Sequence, residues 1–134
     1  MSLQEKLHKK IEEWRPRTVK LLKEHGDTKL SDVTIAQAIG GARGVRCLVT
    51  DISYLDPNEG IRFRGFTIPE TLERLPKYPG RDMPYVEGHI YLLLTGDVPT
   101  EKDVKELAAE LKSRSQVPQY VFDMLRTLPR DTHP

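Results

Sequence analysis

One cysteine is all the chain contains, so Cys47 cannot form an internal disulfide or a CxxC metal knuckle, and a reducing setting is expected. Charge of one sign is not in excess. The 21 Lys+Arg residues stand against 20 Asp+Glu, a net charge of +1, which gives no global drive toward nucleic acid or an anionic bilayer. Long apolar runs are missing too: Ile90 to Leu94 is about a quarter of the ~20 residues a membrane span requires. The opening MSLQEKLHKKIEE carries acids from Glu5 onward and no apolar stretch of ~7 to 15 residues. It therefore fits neither a secretory signal nor an acid-poor transit peptide, and the expected compartment is the cytoplasm. GxSxG, Walker and GxGxxG patterns are absent, and no two of the four histidines lie at the i, i+4 spacing of a helical metal pair. Neither an internal repeat nor a low-complexity tract is present.

What remains is one globular domain or a piece of a larger one, in 134 residues. Leu3, Leu7, Ile11 and Trp14 recur at helical spacing, predicting a long helix from Ser2 to His25 that ends at Gly26. Pro16 removes one backbone donor inside it, so a kink near Trp14 or a split into two helices is expected. Thr34 and Gln37 form a capping box for a short helix that Gly40 and Gly41 end. The β-branched run CLVTDISYL, the turn residues Asp56 to Gly60 and the alternating IRFRGF predict a small β-hairpin. Thr67 and Glu70 frame another capping box, with a helix from Pro69 to about Leu75. Pro76, Pro79, Gly80 and Pro84 hold an irregular loop. Tyr85 to Thr95 is apolar on nearly every side and is expected to be a helix buried all round, stopped by Gly96. Thr100 caps an amphipathic helix through Val104, Leu107, Ala108 and Leu111, with Glu101 and Lys105 paired on its wet side. A last helix starts at Pro118 and carries Val121, Met124, Leu125 and Leu128 on one stripe. The expected class is mainly α with one small β-hairpin. Two amphipathic helices and a hairpin scarcely cover a fully buried helix, so more chain is expected around it.

Few residues stand out for chemistry. His8 reads as solvated, His25 as a helix C-terminal residue interacting with the dipole, and His89 as a packed histidine in an apolar helix. Cys47 reads as buried and inert. Asp51, Asp56 and Glu59 flank a turn, where carboxylates serve as caps and turn formers. The segment IGGARGVR differs. Glycines at 40, 41 and 44 permit positive φ and close approach, and Arg43 is presented between them just after a helix. Its guanidinium suits either a phosphate, held bidentately, or a carboxylate of the same chain.

The strings GGARGVRCLVTDISYLDPNEGIRFRGFTIPETLERLP, EGHIYLLLTGDVPTEKDVKEL and LPRDTHP resemble, in that order, the N-terminal region of citrate synthase in its eukaryotic form, which some bacteria share. The resemblance covers essentially the whole chain and assigns residues 1–134 to the N-terminal part of the large domain, without the remainder of that domain or the small domain. It implies a mostly helical homodimer and an acyltransferase that condenses acetyl-CoA with oxaloacetate and water to give citrate and CoA, the first step of the tricarboxylic acid cycle. It implies no metal and no permanently bound cofactor, acetyl-CoA being substrate. In the family an aspartate removes a methyl proton from acetyl-CoA, one histidine donates to the thioester oxygen and a second polarises the ketone. Those residues lie in later parts of the family's chain. None of the four histidines inherits a catalytic role, and the isolated chain is expected to be inactive. Arg43 falls on the GGxRG position where the family sets an arginine against the phosphates of CoA.

Other functions are weighed beside this one. A stand-alone helical scaffold or regulatory module would reuse the same segment without catalysis. 2-Methylcitrate synthase stays open within the family, because the residues that choose the acyl chain are not in this sequence. Nucleic-acid binding through Lys6, Lys9, Lys10, Arg15, Arg17, Lys20 and Lys23 is disfavoured, since these alternate with acids as on a solvated face.

Overall fold

The computed structural model describes residues 2–46, 48–56 and 58–133. Cys47, expected on a buried strand, and Pro57, expected in the hairpin turn, lie outside the described residues. Those described form six helices and one small antiparallel sheet. The first helix, α1 (Leu3–His25), is opened by a Ser2–Glu5 capping box and runs unbroken through Pro16. Residues 11–20 are all exposed, so the carbonyl that loses its donor to the proline ring faces solvent and the helix continues. Gly26 does not take the left-handed conformation expected of a terminal glycine; its φ is −57°.

The predicted hairpin is a three-stranded meander of β1 (Ser53–Asp56), β2 (Gly60–Phe63) and β3 (Phe66–Thr67). Arg64 and Gly65 have φ of +50° and +87°, and this two-residue turn with both φ positive brings Phe66 opposite Phe63. The same turn shortens the first strand. Its pairing ends at Ser53 opposite Phe63, so residues 48–50, expected to be extended and paired, have no strand to meet. At the other turn Asp56 Oδ1 accepts from the amides of Asn58 and Glu59 at 2.8 and 2.9 Å, the turn-forming role its position predicted. Those two bonds hold its carboxyl below its ordinary range.

Thr67 caps α3 (Ile68–Arg74) with Glu70 closing the box. The proline-rich loop after it is more ordered than expected: Tyr78 N–H donates to Met83 and Tyr85 N–H to Pro76, and the Tyr78 and Tyr85 rings lie 3.9 Å apart. Then come α4 (Val86–Thr95), α5 (Glu101–Ser113) and α6 (Gln119–Arg126). The core lies where α3, α4 and α5 meet, and consists of Leu75, Tyr91, Leu92, Val104 and Leu107 with Thr71 and Thr95. Gly88 permits this approach: a Cβ there would stand 3.5 Å from Val104 and 3.9 Å from Leu75. The helix is not buried all round. Val86 is 66% and Leu94 46% exposed, because the elements packed on α4 leave part of its surface uncovered. Met124 and Leu125 of α6, and Leu128 just beyond its end, are likewise open to solvent.

Beside its half-buried Leu3 and Leu7, α1 is attached to this core by polar bonds. Lys6 Nζ donates to the Tyr91 hydroxyl at 2.7 Å, which in turn donates to Asp103 Oδ1 at 3.4 Å, and Lys10 Nζ donates to Asp97 at 3.0 Å. The bond to Tyr91, helped by the charges of Asp97 and Asp103, holds the Lys6 ammonium above its ordinary range despite the opposing cost of burial.

Two outcomes are expected. Gly96 ends α4 with φ +78°, so Gly96→Ala should lower the unfolding free energy by about 1 kcal/mol or more; an unchanged urea midpoint would contradict this. Asp103 accepts from the side chain and the backbone amide of Thr100, which lower its pKa below the ordinary 3.8. A depressed carboxylate stabilises the fold fully above its unfolded value and loses that contribution as pH falls through the folded value. Stability should therefore drop below about pH 4, and Asp103→Asn should flatten the fall in a thermal-unfolding series across that range.

Candidate phosphate-binding loop

The loop is built at the end of α2 (Ile35–Ile39). Thr34 and Gln37 form the predicted capping box, with the Gln37 amide donating to Thr34 Oγ1 at 3.2 Å and Gln37 Oε1 accepting from Thr34 N–H at 3.0 Å. At the other end the N–H of Ala42 donates to Gln37 O at 2.8 Å and that of Gly41 to Ala38 O at 3.3 Å, while Gly41 has φ +77°. This is the Schellman closure, which requires one left-handed residue just past the helix. Gly40, grouped in the sequence with the positive-φ glycines, keeps a φ of −76°. Ala42 takes the unfavourable conformation instead, at φ +58°, held there by its bond back to Gln37.

The turn carrying Arg43 follows at once. Val45 N–H donates to Ala42 O at 2.9 Å, and Gly44 has φ +74°, so Arg43 occupies the second position of a four-residue turn whose third needs positive φ. Gln37 Nε2 donates to the Arg43 carbonyl at 3.4 Å, tying the corner of the turn to the helix before it. Arg43 is exposed. Among the described residues its guanidinium has no ion-pair or hydrogen-bond partner, so the intrachain carboxylate the sequence allowed is not found. Residues 33–50 carry Arg43 and Arg46 and no acid. Arg46 is exposed on the same loop; the lack of acids around the pair was the signal that would have singled it out.

Other candidates resolve into structural roles. His8 is exposed and lies 3.2 Å from Glu12, and His89 packs its ring edge-on to Phe63 at 4.7 Å. Glu59 pairs with Arg62 at 2.7 Å and Asp51 with Arg64 at 2.8 Å. No cluster of three or more potential metal ligands occurs among the described residues. A groove under α1 is lined by Leu7, Trp14, Asp51, Ile52 and Arg64, and another by Leu3, Ile90, Leu107 and Leu111. Neither includes Arg43, which stands on the open surface.

Comparison with known proteins gives this geometry a family. The family model described as "Citrate synthase, C-terminal domain" matches residues 41–134. A mitochondrial citrate synthase of Aspergillus niger is 48% identical over 99% of this chain and 28% of its own length. One from Saccharomyces cerevisiae is 50% identical over 86% of this chain and 24% of its own length. A mitochondrial 2-methylcitrate synthase of Yarrowia lipolytica is 44% identical over 99% of this chain and 30% of its own length. The chain thus spans less than a third of the relatives it matches. All three names say mitochondrial, which overturns the cytoplasmic setting expected from the opening residues. Those residues form α1, whose charges serve the fold, Lys6 on Tyr91 and Lys10 on Asp97, and so carry no information about address. From the family model, which covers more than half of the sequence, and from relatives near 50% identity, the chain belongs to the citrate synthase family.

Proposed function

We propose that this chain forms the N-terminal part of a citrate synthase large domain, and that the whole protein is an acyltransferase condensing acetyl-CoA with oxaloacetate to release citrate and CoA. Within it Arg43 binds the phosphates of CoA. The observation that carries this role is the guanidinium at the corner of the Ala42–Val45 turn, exposed and unpaired among the described residues, in a stretch with two cations and no anion. An arginine so placed meets a phosphate without first breaking an ion pair, and its fork matches two phosphate oxygens at once. The backbone around it is closed by three bonds to α2, so little order has to be gained on binding. No catalytic group is assigned to residues 1–134. The acid and base of the enolisation, and the groups that hold oxaloacetate, belong to the remaining chain. The protein works as a homodimer in the mitochondrion, with no permanently bound cofactor and no metal, membrane or nucleic-acid partner.

Binding through Arg43 is remote from the reacting methyl carbon, so its loss should weaken substrate and transition state alike. In the full-length polypeptide carrying this chain, Arg43→Ala should raise KM for acetyl-CoA about tenfold, leave kcat within about twofold and leave KM for oxaloacetate unchanged. Arg43→Lys should recover part of the loss. Thiol release followed at varied acetyl-CoA measures this, and an unaltered KM would remove Arg43 from the site. Propionyl-CoA in the same assay separates the two family activities: preference for it by kcat/KM would make the protein a 2-methylcitrate synthase, the name one relative bears.

A further inference from the structure

The turn between β2 and β3 contains a residue that the turn itself disfavours. Both central positions have positive φ, a demand that asparagine or glycine meets at least cost at the first of them. Arg64 stands there instead, at φ +50°. A β-carbon-bearing residue held in that region marks a side chain needed for something else.

Its bonds show what that is. The guanidinium donates from Nε and Nη2 to Leu93 O at 2.9 and 2.6 Å and from Nη2 to Leu94 O at 3.3 Å, fastening it to the last turn of α4. Its Nη1 lies 2.8 Å from Asp51 Oδ1, and the Arg64 backbone N–H donates to Ile52 O at 2.8 Å. Asp51 and Ile52 end the segment that begins with α2 and carries Arg43. That segment buries no residue of its own: apart from half-buried Gln37 and Val45, its described positions from 28 to 52 are exposed. Apolar packing therefore does not hold it. Among the described residues, its only hydrogen bonds or ion pairs to the sheet and α4 pass through Arg64. The Arg64 side chain is 12% exposed and Asp51 49%, so the fixed end of this link is in the fold and the free end is on the loop.

We infer that Arg64 is a positioning residue for CoA binding: with Asp51 as its partner it sets the loop bearing Arg43 against the end of α4. This rests on the reading of Arg43 as a phosphate ligand. The selective variant is Asp51→Asn, which weakens the loop side of the link and leaves the guanidinium on the α4 carbonyls.

The test is hydrogen–deuterium exchange and acetyl-CoA kinetics on the full-length polypeptide carrying Asp51→Asn, Asp51→Glu or Arg43→Ala. In Asp51→Asn, amide exchange over residues 40–52 should rise about fivefold while α4 is unchanged, as expected for loss of one partly exposed ion pair. KM for acetyl-CoA should rise about threefold to tenfold with kcat within about twofold, and Asp51→Glu should restore much of both. Unchanged exchange over residues 40–52 overturns the link. Faster exchange with an unchanged KM, where Arg43→Ala does raise KM, overturns the positioning role. If Arg43→Ala leaves KM unaltered, the phosphate reading fails and the positioning role with it, whereas the exchange result still decides whether the link exists.

Discussion

The end of α4 is the constraint on which the rest of this structure depends. A helix that stops inside a protein leaves its last carbonyls without donors, and each one buried unpaired costs free energy comparable to a lost hydrogen bond. Here the carbonyls of Leu92, Leu93 and Leu94 are each met. Thr95 Oγ1 donates to Tyr91 O, the Gly96 amide to Leu92 O, and the Arg64 guanidinium to Leu93 and Leu94. A cation at this position also meets the negative end of the helix dipole. The sheet is thereby hydrogen-bonded to the end of α4 through one side chain, beside the packing of Phe63 on His89, and the turn between β2 and β3 accepts a strained residue to supply it.

The elements around that junction are held in different ways. The α3–α4–α5 core is apolar and close, with Tyr91, Leu92 and Val104 fully enclosed, and draws on burial of apolar area. The first helix fully buries no residue; beside half-buried Leu3 and Leu7 it is held by ammonium groups on a buried phenol and a half-exposed carboxylate, contacts that salt and solvent weaken far more readily. The GGARG loop is stiff within itself, through the Schellman closure and the turn after it, and tethered from outside at one point. Rigidity is thus concentrated where Arg43 is presented, while the segment as a whole lies against the fold lightly.

In the proposed function, family membership and a segment to which no catalytic group is assigned are compatible, because the work of such an enzyme would be divided along its length. A substrate with a long, charged carrier can be gripped far from its reacting carbon, and the groups that grip need only reach and charge. An exposed arginine on a preformed turn meets those needs; a general base would require a partly desolvated cleft and matched neighbours. Neither His8, exposed on α1, nor His89, packed against Phe63, has such surroundings.

Local chemistry was legible in the residues themselves. The capping boxes at Thr34 and Thr67, the cap at Thr100, the stop at Gly96, the turn at Asp56 and the glycine-framed Arg43 each depend on side chains within a few positions of one another, so spacing alone determines them. The mainly helical class followed from the same periodicities. What the tertiary structure decided were matters of long reach. The sheet gained a third strand because a non-glycine residue entered positive φ, and that residue was held by carbonyls some thirty positions away. The helix Val86–Thr95 kept part of its surface open because the elements packed on it leave that part uncovered, a count that composition cannot make. Asp51 read locally as a turn former but proved to be a partner of Arg64. A sequence written in a line records which groups can bond; only the folded chain brings distant donors and acceptors within 3 Å of each other.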